Sequence, residues 1–144
     1  MRKIASVTAV ILLALASAGV ATGQSVMAPA PRTSDGIRFL TGGVGIGERE
    51  AMQRQAAEYS LRLTFVIEPR GRYLGAVNVK IADGDGRTLL KAQSDGPWLF
   101  AQLPAGKYSV AAEYSGQAQS QSIEITKTRP GIVLFRFQPA EQKQ

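Results

Sequence analysis

The chain has 144 residues, 17 basic against 11 acidic side chains, a formal net charge of +6, and neither cysteine nor histidine. Without those two residue types it cannot assemble a Ser-His-Asp or Cys-His catalytic group, carry out thiol redox chemistry, form disulfides or build a zinc site from the usual ligands. Its fold must stand on apolar packing, which a domain of roughly 120 residues can supply by burying about two-thirds of its unfolded surface.

At the N-terminus, Arg2 and Lys3 precede an uncharged stretch from Ile4 to Val20, whose core is Ala9-Val10-Ile11-Leu12-Leu13-Ala14-Leu15-Ala16. A positive start, a short apolar core and the small-x-small sequence Ala21-Thr22-Gly23 predict a secretory signal peptide over residues 1–23. Gln24 is then the expected first mature residue, with cleavage after Ala21 or Ala28 as alternatives. The core of about a dozen residues is shorter than the ~20 that a spanning helix needs, so no transmembrane anchor is expected after cleavage. The expected address is periplasmic or secreted. No cysteine follows the apolar stretch, which rules out a lipidated-cysteine anchor. Loss of Arg2 and Lys3 takes the formal charge from +6 to +4, and the remaining cations are dispersed, Arg70 and Arg72 being the tightest cluster. No basic run is interleaved with stacking aromatics, so no nucleic-acid partner is expected.

Residues 24–36 are rich in Pro, Ala, Ser and Thr and read as a disordered leader. Residues 37–59 then combine a candidate short strand (Ile37 to Leu40), a glycine-rich loop (Thr41 to Gly47) and good helix formers from Glu48 to Glu58. Glu48 and Glu50 suit the first turn of a helix, where the dipole favours negative charge, and Met52, Ala56 and Tyr59 share one face. From Leu61 the period becomes two. Leu61, Leu63, Phe65 and Ile67 alternate with Arg62, Thr64 and Val66; Val77, Val79 and Ile81 alternate with Asn78 and Lys80. Asp83-Gly84-Asp85-Gly86 turns the chain into Thr88–Gln93, and Ser94-Asp95-Gly96-Pro97 turns it again into Trp98–Leu103. Tyr108, Val110, Ala112 and Tyr114 form a further alternating strand. The polar strand Ala118–Thr126 ends in Ile123 and Ile125; its Gln/Ser-rich part, 117–122, has little to bury and is expected at a sheet edge. Ile132–Phe137 is the last strand, and residues 139–144 are a polar tail. Residues 60–138 are thus expected to form an antiparallel β-sandwich of about seven strands, prefaced by one short helix; the class is mainly β.

Within that region, Ser94-Asp95-Gly96-Pro97-Trp98-Leu99-Phe100-Ala101-Gln102 leads into Leu103-Pro104-Ala105-Gly106-Lys107-Tyr108-Ser109-Val110. A turn, an aromatic strand and then Leu-Pro-x-Gly-x-Tyr-x-Val resembles the carboxypeptidase regulatory-like domain, a transthyretin-like or starch-binding-like β-sandwich. The likeness covers about fifty residues, Val77 to Thr126. The glycine-rich loop and Glu-rich helix also resemble those of small secreted proteobacterial proteins that carry this domain. The resemblance implies a fold module that accompanies other functions, with no catalytic residues to transfer; some relatives bind carbohydrate. In the signature, Pro104 is expected to fix the turn and Gly106 to take a positive φ, with Tyr108 and Val110 entering the core.

Other motifs read as structure. Gly43-Val44-Gly45-Ile46-Gly47 before a helix matches neither phosphate-binding glycine pattern, and Glu48 and Glu50 would repel an anion there. Asp83-Gly84-Asp85-Gly86 carries the cation Arg87 where a calcium loop needs a ligand, so a β-turn is expected. No cofactor or metal ligand set is expected. Glu68 with Glu113, or Asp83 with Asp95, are the carboxylates that a small glycan hydrolase would need to pair. For a binding surface, Trp98 and Tyr73 are the aromatic candidates, provided both are exposed and coplanar. The expectation is a non-enzymatic module for a partner in the cell envelope, a protein or, alternatively, a polysaccharide.

Overall fold

The computed structural model describes residues 29–139. The expected signal peptide, the first part of the leader and most of the polar tail lie outside the described residues. The described chain is mainly β, with ten strands in two sheets and one α-helix. The strands are β1 (Arg32–Ser34), β2 (Ile37–Gly42), β3 (Leu61–Ile67), β4 (Arg72–Tyr73), β5 (Asn78–Asp83), β6 (Thr88–Gln93), β7 (Trp98–Ala101), β8 (Gly106–Tyr114), β9 (Gln117–Ile125) and β10 (Gly131–Phe137). Helix α1 (Ile46–Gln55) runs into a 3₁₀ turn at Ala56–Glu58.

Sheet A has the order β1-β2-β7-β3-β10, with β4 beside the end of β3; sheet B has the order β6-β5-β8-β9. Ten strands replace the expected seven because β1, β2 and β4 also join sheet A. Arg32–Ser34, expected in the leader, pairs with Ile37–Phe39 across the turn Asp35-Gly36. Both turn residues have positive φ, 50° and 80°, the geometry that lets a two-residue turn follow strand twist. β2 pairs with β7 from Phe39 to Gly42, so it is a working strand of the sheet. Pairing is not antiparallel throughout: β10 lies parallel to β3, from Gly131 opposite Leu61 to Phe137 opposite Ile67. A parallel neighbour needs a long crossover, and here the whole of sheet B lies between β3 and β10 in the chain.

Alternation places Leu61, Leu63 and Phe65 of β3, Leu99 of β7, and Val133, Phe135 and Phe137 of β10 in one core with Val79 and Ile81 of β5, Leu90 of β6 and Val110 of β8. Phe65 and Phe135 stack at 5.9 Å. The opposite face of sheet A carries Leu40 and Phe100, which α1 covers with Met52 and the following Tyr59. Where α1 lies, sheet A is therefore buried on both faces. Tyr59 is packed so tightly that its hydroxyl has no hydrogen-bond partner among the described residues.

β9 is an edge strand of sheet B, as its polar sequence predicted. Its glutamines have a further use. Gln117 donates to the Gln138 carbonyl at 2.8 Å and accepts from the Gln138 N–H at 3.0 Å; Gln119 donates to the Arg136 carbonyl. They satisfy outward backbone groups along and just beyond β10, the edge of sheet A, and tie the two sheets together along that side.

In the Leu103–Val110 signature, Tyr108 is buried and its hydroxyl donates to the Pro104 carbonyl at 2.6 Å. Gly106 departs from expectation. It opens β8 opposite Ile125 and has no positive φ, because the turn is closed before it rather than at it.

Two outcomes follow from this packing. A Cβ on Gly96 would collide with the Gly42 carbonyl, whereas one on Gly84 meets only the Lys107 carbonyl at 3.7 Å. In urea melts, Gly96→Ala should lower stability by about 1–3 kcal/mol, and Gly84→Ala should leave it nearly unchanged. Burial pushes the Tyr59 phenol above its usual value of 10.0, with Glu58 adding to the rise and Arg38 opposing it. Burial likewise raises Tyr108, with Asp83 adding. An acid whose folded pKa is raised holds its contribution below the unfolded pKa and loses it as pH climbs through the folded one. Stability should therefore hold up to pH 10 and fall above it. Tyr59→Phe should flatten that fall and, by removing an unpaired buried hydroxyl, stabilise the fold at neutral pH by about 1 kcal/mol.

Candidate functional site

Trp98 and Tyr73 come to the same face of the same sheet. Trp98 on β7 lies opposite Thr64 of β3, and Tyr73 on β4 lies opposite Val66, two residues further along. They do not form one platform. Trp98 is half-buried in the cluster beneath α1 and stacks on Phe100 at 5.8 Å. Thr41, itself buried, donates to the Trp98 carbonyl at 2.9 Å and accepts from the Asp95 N–H at 3.0 Å, which fixes the turn that delivers Trp98. Tyr73 is 53% exposed, and the Arg49 guanidinium lies 5.0 Å from its ring centre. The helix that covers sheet A has thus divided the two aromatics, one into the packing and one to the surface.

The carboxylates do not converge. Glu68 is held by Arg136 of sheet A at 2.9 Å, while Glu113 stands on the outer face of sheet B. Asp83 and Asp95 are separated by the length of β6. Asp83 is committed to its turn, accepting from the N–H groups of Asp85 at 3.0 Å and Arg87 at 2.9 Å. Arg87 lies 3.6 Å from both Asp83 and Asp85. Among the described residues no three acidic side chains gather in a way that would hold a metal ion.

No family model matches this chain, and no curated protein matches it. The site must be built from its own residues.

The open surface is the outer face of sheet B. Two cross-strand rows cross it. One runs Lys91, Lys80, Ala111, Ser120; the next runs Gln93, Asn78, Glu113, Ala118. Small side chains on β8 and β9 leave a shallow concavity of about 460 Å³, floored by Ala111 and Ala118 and rimmed by Lys80, Lys91, Asn78, Gln93 and Glu113. Lys80 and Lys91 are direct cross-strand partners, an arrangement of like charges that destabilises a sheet. Neither has a carboxylate within ion-pair distance among the described residues. This face thus presents a small apolar floor inside a polar, charged rim. Sequence reasoning passed over these residues because each row is assembled from four strands. The one local sign was alanine at outward positions of strands that are otherwise polar on that side.

If the lysine pair is strained as the register implies, Lys91→Gln should raise stability by about 0.2–1 kcal/mol. Adding salt should narrow the difference between the two proteins in parallel denaturation curves, since salt screens exposed charges.

Proposed function

We propose that this chain is a non-enzymatic, exported β-sandwich module that binds a protein partner in the cell envelope through the outer face of sheet B. The single observation that carries the reading is the Ala111–Ala118 floor with its charged rim, left open by every described element of the fold. Such a floor accepts apolar side chains of a partner, while Lys80, Lys91 and Glu113 set its orientation. The sandwich reading rests on the single core shared by the inner faces of both sheets. Kinship with carboxypeptidase regulatory-like domains is part of the proposal, supported by the buried Tyr108 and its bond to Pro104. Export rests on the signal-peptide pattern of residues 1–23.

A polysaccharide ligand is the second reading, favoured by one observation: Gln93, Asn78 and Glu113 line up in a row able to hydrogen-bond sugar hydroxyls. It ranks second because the rim of this face holds no aromatic ring for a sugar to stack on. Carboxylate-pair hydrolysis is not our reading, since neither candidate pair faces a common cleft.

The test is affinity capture from the protein's own envelope fraction with the mature chain, in parallel with an Ala111→Arg/Ala118→Arg variant that fills the floor. We expect a protein retained by the wild type and lost with the variant, whose melting temperature should be little changed. Equal retention by both would remove sheet B as the docking face. Glycan retained without protein, and lost with the variant, would replace the first reading with the second.

A further inference from the structure

A second surface lies at the end of sheet A where β2 and β3 finish and β7 begins. Three of the five large hydrophobic side chains exposed among the described residues, Val44 (64% exposed), Ile46 (70%) and Tyr73, are carried by the two segments that Arg49 joins there. Arg49 links them. Its backbone N–H donates to the Gly45 carbonyl at 3.2 Å, its guanidinium donates to the Gly43 carbonyl at 3.0 Å, and the same guanidinium stands over the Tyr73 ring. The loop bearing Val44 and Ile46 is therefore fastened at its base while both side chains face solvent.

The charges around it are uneven. Arg70 lies in the turn at the tip and Arg72 precedes Tyr73 on the opposite face of β4; both are exposed, and neither has a carboxylate within ion-pair distance among the described residues. The acidic groups nearby are largely engaged. Glu48 accepts from the Gly43 N–H at 2.7 Å, Glu68 holds Arg136, and Asp95 holds Arg32. Glu50, exposed on α1, is the remaining one. Two aliphatic side chains on a braced loop, an amphipathic tyrosine and two uncompensated arginines match the chemistry of a membrane interface. Aliphatic tips enter the acyl boundary, tyrosine sits at headgroup level, and guanidinium groups pair with lipid phosphates.

We infer that this end of the molecule docks on an anionic lipid surface, inserting Val44 and Ile46 with Tyr73 at the headgroups and with Arg70 and Arg72 on the phosphates. No helix among the described residues is long and apolar enough to cross a membrane, and the docking needs none. A few aliphatic side chains plus a small basic cluster give reversible binding that depends on both components. The inference is independent of the partner face on sheet B, which draws on different residues.

The experiment is vesicle co-sedimentation with the chain from Gln24 onward, which retains every described element and omits the apolar segment that would bind lipid by itself. Vesicles containing phosphatidylglycerol are compared with vesicles of phosphatidylcholine alone. We expect binding to the anionic vesicles that weakens as salt is raised, and weak or no binding to the zwitterionic ones. Val44→Ser/Ile46→Ser and Arg70→Gln/Arg72→Gln should each reduce partition by about tenfold or more. All four positions are exposed, so circular dichroism should show both variants folded. Absence of binding to anionic vesicles would overturn the inference, and so would wild-type partition by either folded double variant. An envelope protein captured through these residues, without lipid binding, would reassign the surface to a protein.

Discussion

The constraint on which the rest of this structure depends is that sheet A is apolar on both faces. One face of β3, β7 and β10 meets sheet B in the main core; on the other, Leu40 and Phe100 need cover from water. Left bare, they and Trp98 would form the kind of contiguous apolar patch that soluble domains avoid. Met52 and Tyr59 supply the cover, which is why a helix with few buried residues is nonetheless part of the fold. Most of its stability must come from this contact, since a ten-residue helix is marginal by itself. Sheet B has no second apolar face and no covering element, so its outer side is left for contact with something else.

The other side of the assembly is closed by a different device. Glutamines of β9 bond to backbone groups in and just beyond β10, so the edges of the two sheets protect one another. This gives a physical reason for a nine-residue strand that is polar at six of its positions. Its side chains replace the backbone pairing that β10 would otherwise offer to another chain.

Much of the fold was legible because turn chemistry brackets the strands. β6 begins and ends where expected, since Asp83-Gly84-Asp85-Gly86 and Ser94-Asp95-Gly96-Pro97 stand on either side of it. β1 escaped notice because Arg32-Thr33-Ser34 has no apolar residue and follows two prolines; the Asp35-Gly36 pair was the available signal. β4 is two exposed residues and has no pattern to read. The parallel direction of β10 is equally hidden, as alternation is the same for either direction. For the site, exposure of Tyr73 and half-burial of Trp98 depend on where α1 lies, and the Lys80–Lys91 row depends on register. Neither property is local in the chain. Val44 and Ile46 stand in a glycine-rich stretch without hydrophobic periodicity, so nothing local in the chain marks their exposure.

The division of faces, with the β2–β7 part of sheet A covered by α1 and sheet B open, is the central claim, and the chain's single tryptophan reports on it directly. The measurement is acrylamide quenching of Trp98 fluorescence in the native protein. Half-burial beneath α1 against Phe100 predicts emission and quenching between those of buried and free tryptophan, both moving to the free values in a Met52→Asp variant that lifts the helix. Red-shifted emission with efficient quenching in the native protein would mean that the outer face of sheet A is open, and would contradict the account.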